Sequence, residues 1–300
     1  MTLNEIELEI AAIESDLTLF KERNFDHRVE TIDFIGYNLI PGIEELLKRP
    51  GKGDQLMVLK CRAEKASITL EEFDRRLFEM LREKIREGAY MGQNFILLAG
   101  KYCDLDFWNG QKYNEPGYDS LDIFVNGLLS FIGMPKQTKE PGPEMVFYQK
   151  TPARMVFEMV EKLNFTKQDV FFDIGSGLGQ AVMLVNLLTG VTAAGIEFEP
   201  AFCIYAQSCA AGLNLSNVSF FNVDARAADY SKGTVFFMYT PFSGNMLDEV
   251  LDKLKNESLT RKITIVTYGP CTEQVALQNW LATAGPKGDN IYKPAVFNSI

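Results

Sequence analysis

Along the first twenty residues Leu3, Ile6, Ile10, Ile13, Leu17 and Phe20 recur at steps of three and four, while Glu5, Glu7, Glu9 and Glu14 fall off that line. The period predicts an amphipathic helix. Its apolar seam suits a helical bundle, or alternatively a homodimer contact. Further on, Thr69-Leu70-Glu71-Glu72 has the spacing of a capping box, and Phe73, Leu77, Met80, Leu81 and Ile85 follow it at helical period with Gly88 as a stop. A helix is expected to start at Thr69. Loops are expected at 49–53 (Arg49 to Gly53) and 114–117 (Asn114 to Gly117), where Pro and Gly cluster.

The pattern changes after the segment 135–143, which is polar and carries Pro135, Pro141 and Pro143, so that an extended connector is expected. Beyond it, Thr151-Pro152 reads as a helix start, with Thr151 as N-cap and Met155, Val156, Met159, Val160 and Leu163 on one face. Short apolar runs then alternate with helical ones: Val170 to Phe172, Val191 to Glu197, Val218 to Val223, Thr234 to Met238 and Lys262 to Tyr268, with a last run at Ala295 to Ile300. This alternation predicts an α/β fold with a mostly parallel sheet and an antiparallel last strand. The chain is thus expected to hold an all-helical domain at 1–135 that acts as a lid or substrate wall, a linker at 136–143 and a cofactor domain at 144–300.

The candidate chemistry lies at the strand ends. Asp173-Ile174-Gly175-Ser176-Gly177-Leu178-Gly179-Gln180 sits where the first strand turns into a helix. Glycines there let the backbone turn tightly and approach a ligand. A dinucleotide fingerprint would place its third glycine at position 180, which is Gln180, with the glycine one residue early at Gly179. The carboxylate of Asp173 would repel a pyrophosphate yet suits the ammonium group of S-adenosylmethionine (SAM), so the loop favours SAM over NAD. A NAD-linked oxidoreductase is the less favoured reading. Glu197 ends the second run about 20 residues beyond the glycines, a position from which a carboxylate binds ribose hydroxyls. Asp224 follows the third run and is placed to accept from an adenine amino group.

With these motifs the chain from Glu144 to Ile300 resembles the class I SAM-dependent methyltransferases. Its Val170 to Gln180 block is most similar to the non-SET histone lysine methyltransferases of the disruptor-of-telomeric-silencing type. The resemblance implies a Rossmann-like sheet, SAM as cofactor, and cofactor contacts from Tyr148, Thr151, Asp173, Gly175, Ser176, Gly177, Gly179, Gln180, Glu197, Phe198, Asp224 and Ala225. Tyr148 and Thr151 match that family's lid motif, whereas Lys150 replaces its glutamate. Lys150 is then expected to reach the cofactor carboxylate, a nearby acid such as Asp173, or solvent. After the fourth run the chain has Tyr239-Thr240-Pro241-Phe242 in place of the family's asparagine-containing loop, and these four residues are the candidate acceptor loop. Methylation of a protein lysine or a small amine is the expected activity, with a non-catalytic SAM-binding or scaffold protein as the alternative.

Charge and composition narrow the partners. The formal net charge is −10 and no basic stripe is visible, so duplex nucleic acid is not an expected partner. One histidine, His27, leaves little material for a histidine-based metal site or a Ser-His-Asp triad, and no metal is expected. The five cysteines form no Cys-x-x-Cys pair and read as reduced thiols. The longest apolar stretch, around Ile123 to Met134, is interrupted by Asn126, Gly127 and Gly133. It is too short to span a bilayer, so a cytoplasmic protein without membrane contact is expected.

Overall fold

A computed structural model describes residues 1–49, 53–105, 118–130, 133–284 and 290–300. The loop expected at 114–117, and most of that at 49–53, lie outside them. Two compact units divide the chain: Met1–Arg82 with Leu98–Leu105, and Glu83–Leu97 with the chain from Asp106 onward. The division falls in the helical part of the chain, upstream of the segment 136–143.

The first unit is helical. Helix α1 (Leu3–Ser15) starts at a capping box in which Glu5 N donates to Thr2 Oγ1 and Thr2 N to Glu5 Oε2. Its buried Ile6 and Ile10 join Ile35, Leu39, Ile43, Leu56, Leu59 and Ala63 in one core. The expected apolar line does not continue. Asp16 accepts from Thr18 N and starts a 3-10 turn at Leu17–Phe20 that buries Leu19 and leaves Leu17 77% exposed. Helices α2 (Phe25–Phe34) and α3 (Ile40–Leu47) follow, joined through a π-helical turn at Ile35–Leu39.

Helix α4 (Gly53–Arg86) runs unbroken through 69–72, so Thr69 is not a helix start. Its Oγ1 donates back to Lys65 O at 2.7 Å, as an interior threonine does when the upstream turn is already formed. The C-terminal stop holds. Gly88 takes φ +77°, and Gly88 N and Ala89 N close on Ile85 O and Lys84 O.

The second unit contains α6 (Ser120–Leu129), which follows α5 (Gln93–Tyr102), and the sheet domain. Helix α7 (Ala153–Leu163) buries Met155, Val156, Phe157 and Met159. Its N-cap residue is Pro152 rather than Thr151, and the free Ala153 N–H is satisfied by the buried Asp122 Oδ1 at 2.8 Å, from the capping box of α6. The strands are β1 (Val170–Ile174), β2 (Thr192–Glu197), β3 (Val218–Asn222), β4 (Val235–Met238), β5 (Thr264–Thr267), β6 (Leu281–Thr283) and β7 (Ala295–Ser299). Helices α8 (Gln180–Thr189), α9 (Pro200–Gly212), α10 (Gly244–Ser258) and α11 (Cys271–Ala276) connect them.

The seven strands lie in the order β3-β2-β1-β4-β5-β7-β6, parallel except for β7, which is antiparallel to both neighbours. The expected α/β sheet with an antiparallel last strand is therefore present. Three-residue β6 carries no readable alternation, and its place is set by pairing with β7. The order reverses at β1, where β2 lies to one side and β4 to the other. Ligand crevices of open α/β sheets form at the carboxyl ends of strands at such a switch point. No helix among the described residues is long and apolar enough to cross a membrane.

Candidate functional site

The loop between β1 and α8 is pinned from below by its own backbone. Gly175 N and Ser176 N both donate to Ile196 O on β2, at 2.9 and 3.0 Å, and Gly179 N closes on Ser176 O at 2.8 Å. Gly177 takes φ +51°, and the Tyr148 ring lies so close that any Cβ at this position would overlap it. Glycine is thus required at 177 twice over, by conformation and by contact.

Two of the three strand-end acids, Asp173 and Glu197, meet in one open cleft. Asp173, Gly175, Ser176, Gly177, Gln180, Glu197 and Phe198 line it, with Tyr148, Thr151 and Ala225 on other walls. Gly179 and Asp224 are not among the lining residues. Gly179 packs instead against Phe220 and Ala206. Asp224 turns aside to Arg226, which donates to it from Nε at 3.1 Å and Nη2 at 2.8 Å, so its carboxylate is engaged elsewhere and only its neighbours Val223 and Ala225 reach the cleft.

Two buried acids therefore share the cleft. Burial, reinforced by the facing Glu197 charge, pushes the Asp173 carboxyl up to about 8. Burial also raises Glu197, although Glu199 N and Gly177 N donate to its Oε1 and Oε2, each at 2.7 Å, and favour the ion. A cation in the cleft would restore both charges.

The roof comes from the segment expected to be a plain linker. Gln137 and Pro141 line the cleft, and Glu199 holds this stretch in place: its carboxylate accepts from Thr138 Oγ1, Thr138 N and Lys139 N at 2.5–2.9 Å, while it also caps α9 through Ala201 N. Burial opposes the Glu199 ion, but these donors outweigh it and pull the carboxyl down to about 2. Sequence reasoning missed Glu199; an acid two residues past Glu197 and just before Pro200 was a readable N-cap signal. Lys150 reaches neither Asp173 nor open solvent. Its Nζ donates to Asn126 Oδ1 on α6 at 2.9 Å. A half-buried ammonium needs an acceptor, and Asn126 supplies it.

Tyr239, Thr240, Pro241 and Phe242, after β4, all line the same cleft. Thr240 sits at φ +40°, a strained conformation for a β-branched residue. Its Oγ1 donates to Tyr268 O at 3.1 Å and accepts from Cys271 N at 3.2 Å, which holds the loop against β5 and α11. The loop is tied to the roof as well: Val146 N donates to Pro241 O at 3.0 Å and Ser243 N to Glu144 O at 2.9 Å. Phe242 is only 3% exposed and belongs to the sheet core, so it presents an edge to the cleft rather than a free wall.

Two further features show that the cleft is shaped for a ligand. Ser176 Oγ and both amide atoms of Gln180 are buried with no hydrogen-bond partner among the described residues, and both side chains line the cleft. Such orphaned groups cost about 1–3 kcal/mol each unless a ligand or an ordered water satisfies them. In addition, the acidic and basic side chains lining the cleft are the carboxyl groups of Asp173, Glu197 and Glu199, with no lysine or arginine among the described lining residues. A wall of that sign rejects a pyrophosphate and receives a sulfonium and an ammonium.

The strand order, the glycine loop after β1 and the carboxylate ending β2 are those of a class I methyltransferase sheet, and the residues present fit SAM as the ligand. Within the class, residues 140–243 match the family model for the histone methylation protein DOT1, so this stretch is similar to that family across the roof, glycine loop and acceptor loop.

No curated protein matches the chain. Solved structures that align with about half of it include an RNA methyltransferase from Salinibacter ruber with S-adenosyl-L-homocysteine, at 22% identity over 50% of this chain and 92% of that one with a TM-score of 0.38. A SAM-dependent methyltransferase from Aquifex aeolicus aligns at 15% identity over 48% and 88%, TM-score 0.39, and a putative methyltransferase from Escherichia coli at 16% over 49% and 86%, TM-score 0.41. At these values the likeness says nothing about the methyl acceptor.

Proposed function

We propose that this protein methylates an amine nitrogen, on a protein lysine or a small amine, with SAM as donor. The observation that carries the reading is the acidic, base-free lining of the cleft, which suits a cationic acceptor as well as a cationic donor. The likeness of residues 140–243 to a histone methylation family points the same way. Duplex nucleic acid, whose phosphates the overall charge of −10 would repel, is not the proposed acceptor.

In this reading Glu197 holds the ribose hydroxyls, using lone pairs left over from its two backbone donors. Asp173 and Gln180 hold the amino-acid end, and Phe198 with Ala225 flank the base. SAM supplies an electrophilic methyl group, so the protein's task is to align the acceptor and exclude water. Tyr148 covers the glycine loop, and the loop 239–242 forms the acceptor side. Tyr239 Oη donates to Gln149 Oε1 at 3.3 Å, which fixes a polar edge at the mouth. Burial raises the Tyr239 and Tyr268 phenols, so both remain protonated at neutral pH and can orient the acceptor; an amine that arrives as its ammonium gives its proton to water at the cleft mouth before its nitrogen attacks the methyl group and SAM leaves as the thioether.

The test is methyl transfer from labelled SAM to histones, a lysine-rich peptide, free amines and duplex DNA. Label on an amine supports the proposal. Tight S-adenosylhomocysteine (SAH) binding with no transfer to any amine would favour the non-catalytic reading.

A further inference from the structure

Residues 148, 149 and 150 reach three different walls. The Tyr148 ring covers Gly177, Gln149 Oε1 accepts from Tyr239 Oη, and Lys150 turns away from the cleft so that its Nζ meets Asn126 Oδ1 at 2.9 Å on α6. The Lys150 carbonyl is held too, by Tyr118 Oη at 2.6 Å. Helix α6 is a firm anchor for this contact. Its capping carboxylates bind the start of α7, Asp122 Oδ1 through Ala153 N and Asp119 Oδ2 through Arg154 Nε at 2.6 Å.

We propose that Lys150 is a positioning residue for the lid of this cleft: held by Asn126, it fixes the backbone at which Tyr148 closes over the glycine loop. The strap that carries Tyr148 is fixed on its N-terminal side where Val146 N meets Pro241 O, and on its C-terminal side at Lys150. Tyr148 lies midway. Without the Lys150 ammonium contact this end of the strap keeps only the Gln149–Tyr239 bond and the Tyr118 Oη bond to the Lys150 carbonyl before the Asp122 bond at Ala153, so it is held less firmly and more of the ordering of Tyr148 falls on the moment a ligand is enclosed. The ammonium is half-buried and can only donate, so Asn126 must present its oxygen to it. Burial lowers the Lys150 pKa while the Asp122 carboxylate opposes that shift, and both forms of the amine can donate to Asn126.

As a role in enclosing SAM the inference rests on the proposed function, and two readouts keep the two claims apart. The first needs no ligand. Phe147, 77% exposed, and Tyr148 are chymotrypsin sites, and cleavage there requires the strap to lift. Lys150→Met and Asn126→Leu should each raise the cleavage rate at 147–148 about fivefold or more, while Asn126→Asp, which keeps an acceptor, stays within about twofold of wild type. The second readout is the dissociation rate of SAH, which should rise about five- to twentyfold in the same two variants, with the double variant no worse than the poorer single one.

Unchanged cleavage in both variants, a defect in Asn126→Asp equal to that in Asn126→Leu, or additive losses would overturn the proposal. So would faster cleavage with unaltered SAH release. If the wild-type protein binds no SAH, the proposed function fails, and the cleavage rates still decide whether Lys150 holds the strap.

Discussion

Replacing Glu197 by Gln probes the cofactor reading at its centre. In the wild-type protein Oε2 accepts from Gly177 N and Oε1 from Glu199 N, both at 2.7 Å, so a ribose hydroxyl must use a remaining lone pair of an already engaged carboxylate. The amide of Gln keeps one acceptor oxygen and turns its NH2 toward the other backbone donor. One buried N–H then loses its acceptor, which should lower the stability of the free protein by about 1–3 kcal/mol. The ribose also loses a charged acceptor, which should weaken SAH binding by about 1.5–3 kcal/mol, roughly ten- to a hundredfold in Kd. Glu197→Ala is a poorer probe because it strips both backbone donors at once and confounds folding with binding. Thermal unfolding of the free protein and calorimetric titration with SAH separate the two effects. A lowered melting temperature with an SAH Kd within about twofold of wild type would refute the placement of the ribose at Glu197.

Further outcomes follow from the same geometry. Gln180→Leu removes two buried, unpartnered polar atoms, so the free protein should gain about 1 kcal/mol in denaturant unfolding while SAH binds more weakly; a stability loss would show that the amide has a partner in the fold. Asp173, held near 8 by burial against a far lower unfolded value, is protonated in the free fold at neutral pH. Its contribution to stability is therefore complete below about pH 4 and lost as pH rises through about 8. A ligand ammonium beside it favours the ion, so SAH affinity should climb about three- to tenfold between pH 6 and 7.5, and this rise should be absent in Asp173→Asn. Phe242→Leu keeps much of the core volume, so it should slow methyl transfer while leaving SAH affinity within about 1 kcal/mol; equal losses of both would make Phe242 a core residue only.

The sheet was readable because each of its strands except β6 is an apolar run bounded by turn residues, and because buried parallel strands need no alternation to be recognised. The glycine loop was readable for a related reason: close backbone approach, as at Gly177 beneath Tyr148, leaves only one residue type that fits. What the chain pattern hid depends on which partner each side chain takes, near or far along the chain. Thr69 looks like a helix start until the turn before it is seen to be helical already, and Asp224 looks like a base contact until Arg226, two residues on, takes its carboxylate. The segment 136–143 reads as a linker by composition, yet Glu199, some sixty residues away, holds it as the roof of the cleft. Lys150 was singled out from its departure from a motif, but its true neighbour lies on a helix that no local pattern connects to it.

The most direct test of the central claim is a crystal structure of the protein grown with SAH. The account predicts ribose hydroxyls within hydrogen-bond reach of Glu197, the amino-acid end beside Asp173 and Gln180, Tyr148 over the glycine loop, and the sulfur facing Tyr239 to Phe242. SAH bound outside this cleft, or a cleft left without ligand at saturating SAH, would contradict it.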